Sequence, residues 1–401
     1  ERMSRLLAAL DHPERSARVV HVAGTNGKGS TCAMIEAGLR SKGLSTGLYT
    51  SPHLVSPTER IQIGGRPVNE AQFTAAFEEM HAVAEATVRR GDLDMHPTYF
   101  ESLTAMAFLL FRQARVNTMV IEVGLGGRLD ATNLVNPALT VITPVDFDHM
   151  EHLGETIEKI AGEKAGIIKH GVPVVVARQR PEAHLAIERQ AIAQNALLDR
   201  LEDWPIRLDS LDAYGSAFRL ERGDVHLEVA CPLAGSHQVD NAATAAVALH
   251  HLGLDSREIF NGIGAATWPG RLERVGREPD IFLDGAHNVA GATALAAYIR
   301  RFHAGRRVWM IFGVMRDKQI DEIAELLFPL ASTLILTTPD QTRSLPAEEI
   351  ARHPAARGAR VTSRVPDALR LLAEVPPGDV VFITGSLYLV GEARPYLVKG
   401  A

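Results

Sequence analysis

Short, continuously apolar and largely β-branched runs recur along the chain, each separated from the next by a longer stretch with helical spacing. They are Val19–Ala23, Met119–Val123, Leu139–Thr143 and Val172–Ala177, then Val308–Phe312, Leu334–Leu336 and Val380–Thr384. Strands apolar on both faces must be covered on both, and strands joined through helices pair in parallel. The pattern therefore predicts an α/β protein built on parallel sheets. At about 150 residues per domain, a chain of 401 residues has room for two or three domains.

Between Trp204 and Cys231 the spacing changes to period two, with Phe218, Leu220, Val225, Leu227 and Val229 alternating, which predicts a small antiparallel patch on the first domain. A helix-rich stretch, Gln238–His251, leads into the segment Thr267-Trp268-Pro269-Gly270, and a fresh series of elements begins near Arg274. The expected domains are 1–272 and 273–401.

Several classes of protein are excluded by simple counts. Cys32 and Cys231 match no metal-ligand spacing and read as reduced, buried packing residues of a cytoplasmic protein. No apolar run approaches the roughly 18 residues that cross a bilayer, so no membrane role is expected. Glu1–Leu10 is charged and amphipathic, not a leader peptide, and the missing initiator Met suggests that a few residues precede it. Lys+Arg 42 against Asp+Glu 48 leaves a net charge of −6, which argues against a nucleic-acid partner and requires that anions be met by local cations.

The run Gly24-Thr25-Asn26-Gly27-Lys28-Gly29-Ser30 lies between an apolar strand and a helical pattern containing Ala33, Met34, Ile35, Ala37 and Leu39. Glycines permit a tight turn, backbone N–H groups face an anion, and the helix N-terminus adds partial positive charge. Lys28 reaches terminal phosphates and Ser30 stands where a hydroxyl meets Mg²⁺, features that an ordinary Gly-rich turn lacks. The spacing departs from the common phosphate loop: two residues, not four, separate Gly24 from Gly27, and Gly29 intervenes before Ser30.

Other candidates lie at predicted strand ends. Glu122 closes a strand before the turn Gly124–Gly127, where a carboxylate reaches a nucleotide-bound Mg²⁺ or, more plainly, caps a neighbouring helix. Asp146, Asp148, His149, Glu151 and His152 crowd the segment after Leu139–Thr143, with His152 read as a solvated loop residue. Lys164 falls in a helical pattern from Thr156, with Ile157, Ile160, Ala161, Ala165 and Ile168 on its apolar face; composition alone reads the lysine as exposed. Asn241 opens an Ala-rich helix, and Arg271 stands at the domain boundary. Asp284 and His287 follow the strand Ile281–Leu283, where Asp284 is also a candidate N-cap. Arg300, Arg301, Arg306 and Arg307 read as solvated surface.

The shortened loop resembles the ATP loop of the Mur ligase superfamily, and further segments narrow the likeness to the folylpolyglutamate synthase/dihydrofolate synthase family. These are Ser51-Pro52-His53-Leu54 with Thr58-Glu59-Arg60, Thr98–Glu101 before a helix, Glu122–Asn133, Asp148–Gly154, Glu163-Lys164-Ala165-Gly166-Ile167, Trp268–Glu273, Asp284–Asn288 and Gly385-Ser386-Leu387-Tyr388. The resemblance runs nearly end to end. It implies an N-terminal P-loop ATPase domain, a C-terminal Rossmann-like domain, and an ATP-dependent ligase acting as a monomer. Such a ligase joins L-glutamate to dihydropteroate or to the γ-carboxylate of a reduced folate through an acyl phosphate.

The resemblance also distributes roles. Ser51, Glu122 and His149 become metal positions beside Ser30, two Mg²⁺ ions accompany ATP, and Lys164 is carbamylated so that it too becomes an oxygen ligand. Asn241 lies near the adenine, Arg271, His287 and Lys28 act at the phosphates, and Asp284 lies near the arginine. The acceptor side falls to the loop Ser51–Arg60 and to Thr98–Glu101, with His53, Arg60, Phe100 and Glu101 as candidates. One rival is a Mur-type ligase of muramyl peptides, whose extra substrate domain is not expected ahead of a phosphate loop about two dozen residues into the chain. The other is a nucleotide switch without ligase chemistry, indifferent to glutamate.

Overall fold

Continuous apolarity does produce buried parallel strands. In the computed structural model, which describes residues 1–398, β1 (Arg18–Ala23), β2 (Thr46–Tyr49), β3 (Ile61–Ile63), β4 (Arg66–Pro67), β5 (Thr118–Glu122), β6 (Leu139–Ile142), β7 (Val174–Val176) and β8 (Leu198–Arg200) form one sheet. Its order is β4-β3-β2-β5-β1-β6-β7-β8, parallel throughout except where β3 and β4 fold back at one edge. The apolar run at 172–177 yields only Val174–Val176, because Pro173 has no N–H to donate to a ladder.

The predicted antiparallel patch is a three-stranded sheet of β9 (Ile206–Leu211), β10 (Ser216–Arg222) and β11 (Val225–Cys231). The C-terminal domain holds β12 (Glu273–Arg277), β13 (Asp280–Leu283), β14 (Val308–Phe312), β15 (Thr333–Thr337), β16 (Arg360–Thr362) and β17 (Val380–Thr384), ordered β12-β13-β17-β14-β15-β16. Only the β12–β13 pair is antiparallel.

The helix Lys28–Ser41 is buried along nearly its whole length and shares one core with β1, β5 and the helix Ser236–His251. Alanines 242, 243, 245 and 246 on that second helix are fully buried, and their small side chains bring the two backbones close. Asn241 therefore lies inside this helix, which begins after Gly235, and does not open it. Both cysteines are buried and free. Arg300, Arg301 and Arg307 are exposed, as expected of a solvated cluster; Arg306 is the exception, donating to Asp280 (2.6 Å) and to the Asp379 carbonyl (2.8 Å). Among the described residues no helix is long and apolar enough to cross a membrane.

Beyond the apolar core that they share, the antiparallel patch and the first sheet are joined through one carboxylate. Asp199 on β8 accepts the Trp204 indole N–H (2.9 Å), pairs with His251 at 2.7 Å and accepts from Arg222 on β10. Burial alone would raise its pKa, but the His251 and Trp204 hydrogen bonds and the Arg222 charge hold it below the usual carboxylate value. Asp199→Ala is expected to lower stability by about 3 kcal/mol, read as an earlier urea transition by tryptophan fluorescence. Because the folded value is depressed, the wild-type advantage should be present above about pH 4 and lost as the pH falls further.

Candidate active site

Strand β1 delivers Gly24 to the start of a turn whose cap, Gly27, has φ +81° and opens the helix Lys28–Ser41. The N–H groups of Thr25 and Asn26 are already used, both donating to the Pro144 carbonyl at 2.9 and 3.1 Å. That leaves the first turn of the helix, from Lys28 on, without a side-chain cap and with donors directed at whatever anion sits at its mouth. The glycines at 27 and 29 have a steric cause. A Cβ at Gly27 would overlap the Asn241 amide, and one at Gly29 would lie 2.8 Å from the Trp268 indole. Gln238 joins the two ends of this arrangement, donating to Ser30 Oγ (3.3 Å) while its carbonyl oxygen accepts from Asn241 (3.0 Å).

The loop borders a cavity of about 850 Å³ that is shared by both domains. From the N-terminal side it is lined by residues 24–30, Ser51, Arg60, Phe100, Glu122, His149, Lys164 and Asn241. From the domain boundary comes Arg271, and from the C-terminal side Asp284, His287 and Lys318. Seventeen of the nineteen residues named from sequence as candidates are thus gathered in one place. His53 and Glu101 are not: neither lines the cavity. His53 turns to Arg60, whose Nε donates to its Nδ1 (2.8 Å). Glu101 closes a capping box with Thr98 (2.7 Å to the Thr98 N–H) and pairs with Arg2 at 3.0 Å. The Thr-x-x-Glu spacing was the available signal for that capping role.

Electrostatics distinguish the acidic groups. Glu122 is 3% exposed and accepts from the Ser51 N–H at 3.0 Å. Burial raises its pKa, and nearby Lys28 opposes that rise. It caps no helix. Asp284 is not an N-cap either: that position belongs to Asn288. The Asp284 carboxylate accepts from Leu272 N–H and Ala286 N–H, both at 3.0 Å, and so fixes the backbone just after Arg271.

Asp148 joins the domains, accepting from Lys318 Nζ at 2.9 Å, with His287 Nε2 at 3.8 Å. Its burial is outweighed by the bonds to His287 and Lys318, which hold the carboxyl far below its ordinary value. Asn288 makes a second bridge, donating to Asn26 Oδ1 at 3.0 Å. Lys318, missed from sequence, follows β14, so the same strand-end rule that marks Asp284 after β13 would have found it.

Lys164 is the main correction to the composition-based reading: it is 4% exposed, not solvated, and donates to the Gly24 carbonyl at 2.8 Å. Burial, with the nearby Lys28 charge, pulls its pKa down to about 7. His149 begins a short turn with φ +51°, and His152 is exposed as expected. No group of three or more His, Cys, Asp or Glu among the described residues is arranged to hold a metal. A magnesium site needs few such groups, because that ion keeps waters and phosphate oxygens in its shell.

Comparison with known proteins gives concordant likenesses. Residues 22–249 match the Mur ligase middle domain, and residues 270–387 match the Mur ligase glutamate ligase domain. The chain is 37% identical to a dihydrofolate synthase/folylpolyglutamate synthase of Bacillus subtilis, over 99% of its own length and 94% of the relative's. It is 35% identical to a folylpolyglutamate synthase of Lacticaseibacillus casei, over 100% and 94%. Among solved structures, a Mycobacterium tuberculosis folylpolyglutamate synthase complexed with ADP superposes with a TM-score of 0.93 at 33% identity, covering 99% and 94% of the two chains. Escherichia coli FolC with DHPP and ADP gives 0.88 at 33% identity, covering 99% and 92%.

A buried lysine has a stability signature that needs no ligand. Below about pH 7 the amine is charged in folded and unfolded chains alike, and the burial cost is fully present. Between there and the free-lysine value near about 10.4 only the unfolded chain holds the proton, so stability rises with pH. In bicarbonate-free buffer Lys164→Met should therefore be more stable than wild type at neutral pH, by a margin that shrinks as the pH approaches about 10. Urea midpoints across that range check the trend.

Proposed function

Because the chain belongs to the folylpolyglutamate synthase/dihydrofolate synthase family of Mur-type ligases, we propose the following division of work among its residues. The activity is ATP-dependent ligation of glutamate to dihydropteroate or folate. A free carboxylate is too poor an electrophile for an amine. The γ-phosphoryl group of ATP is therefore transferred to the acceptor carboxylate, the glutamate α-amine attacks the acyl phosphate, and ADP, phosphate and the amide are released.

The observation that carries this reading is the cavity's dual ownership: a phosphate loop from one domain faces Asp284, His287 and Lys318 from the other, with Arg271 at the boundary between them. Residues 24–30 hold the triphosphate, with Lys28 on its terminal groups, and Asn241 contacts the adenine. Arg271 offers a permanent, planar cation to the charge that builds up during phosphoryl transfer. His287 has its Nδ1–H donated to the Gly285 carbonyl (2.7 Å), which leaves Nε2 directed into the site. Arg60 and Phe100 border the acceptor side. A cavity closed by residues 1–272 on one side and 273–401 on the other excludes water from the acyl phosphate.

Magnesium is proposed at Ser30, Ser51 and Glu122. These residues offer hard oxygen atoms, and the buried Glu122 carboxylate has a backbone N–H as its hydrogen-bond donor and no ion-pair partner. Bound there, the ion would neutralise phosphate charge and polarise the transferred group. A second ion at His149 suits Lys164 only if that side chain is carbamylated, since an ammonium repels a dication. A lysine pulled to about 7 supplies the neutral amine that carbon dioxide requires. All these groups come from one chain, which supports a monomer; its substrates are ATP, glutamate, and dihydropteroate or a reduced folate, and its proposed location is the cytoplasm.

ADP release should require both the acceptor and glutamate, measured by a coupled assay with products resolved by mass. ADP formation unchanged by omitting glutamate would overturn the ligase reading. Arg271→Lys keeps the charge but not the planar fork, and kcat should fall by about two orders of magnitude with little change in ADP affinity, since residues 27–30 remain.

A further inference from the structure

The tip of the loop Ser51–Arg60 does not end at the cavity it borders. Leu54 crosses to the C-terminal domain and packs against the apolar cluster that includes Leu283, Leu389 and Val390. Its seat is made by two glycines. A Cβ at Gly391 would overlap the Leu54 carbonyl oxygen, and one at Gly270 would lie 3.1 Å from a Leu54 methyl and 3.1 Å from Val390.

The loop is stiff enough to transmit a position. The Glu59 carboxylate accepts three consecutive N–H groups, those of Leu54 (2.8 Å), Val55 (3.0 Å) and Ser56 (2.8 Å). At its base Ser51 N–H is tied to Glu122 (3.0 Å), and Arg60 at its far end lines the cavity. The seat is equally fixed. Gly270 N–H donates to Glu273 (2.9 Å), Gly285 N–H donates to the Gly270 carbonyl (2.9 Å), and Glu273 holds Arg394 (2.9 Å) on the helix that carries Gly391. Arg271 is the next residue along from Gly270.

We propose that Leu54, seated between Gly270 and Gly391, is a positioning residue for ligation: it registers the acceptor loop against the interdomain linker, so that acceptor carboxylate and Arg271 meet at one place. The proposal rests on the ligase reading above. Reacting groups displaced by about 1 Å lose up to about a hundredfold in rate, so truncating the tip should cost turnover although Leu54 does not line the cavity.

The test compares wild type with Leu54→Ala, Leu54→Met and Gly391→Ala in glutamate-dependent ADP release with dihydropteroate as acceptor, alongside ADP titration calorimetry and thermal melts. The expected result is a drop of about tenfold or more in kcat/KM for the acceptor in Leu54→Ala and Gly391→Ala, with ADP affinity unchanged and most of the activity restored by Leu54→Met. If Gly391→Ala does not fold, the two Leu54 variants carry the comparison. Unchanged acceptor kcat/KM in folded Leu54→Ala overturns the proposal. So does a parallel loss of ADP affinity, which would mark Leu54 as mere packing. Absence of glutamate dependence in wild type overturns the ligase reading, and this proposal with it.

Discussion

The carboxyl ends of two parallel sheets open onto one cavity, and the chemistry of the molecule depends on that arrangement. Gly24 follows β1, Ser51 follows β2, Glu122 ends β5, and from the other domain Asp284 follows β13 and Lys318 follows β14. Parallel strands separated by helices place every such end on the same side. Residues scattered from position 24 to position 318 are thereby neighbours without any long loop to carry them.

An acidic chain that handles anionic substrates must confine its positive charge. It does so by burial and pairing. Lys28 is folded back onto the Thr25 carbonyl (3.1 Å), Lys318 is held by Asp148, and Lys164 loses much of its charge to desolvation. Eight lysines and arginines line the cavity, so positive charge is concentrated there and its field is local, against a net charge of −6 over the whole chain.

The parts of this fold that can be read from sequence are those where one local signal dominates. Apolar runs such as Val308–Phe312 are strands end to end, and the period-two segment becomes β10 and β11. Edge strands are less legible, because β4, β8 and β16 carry Arg, Asp and Thr in place of an apolar run. In the site, glycines and strand-end acids stand out, whereas the burial of Lys164 depends on neighbours 140 residues away. The capping role of Glu101 was legible locally, but its place within the family motif drew it to the acceptor side. Lys318 could be found by its place after β14, but its pairing with Asp148 of the other domain is encoded by no local pattern.

The indole of Trp268 lying on Gly29 ties the identity of one residue of the phosphate loop to that of a residue ahead of the domain boundary. A side chain at position 29 would meet the ring, and room for it could come only from a shift of the indole or a smaller residue at 268. The mouth of the loop helix and the segment leading to Arg271 are thus one steric unit, so that rebuilding the loop with any residue larger than glycine at 29 would have to rebuild that segment too.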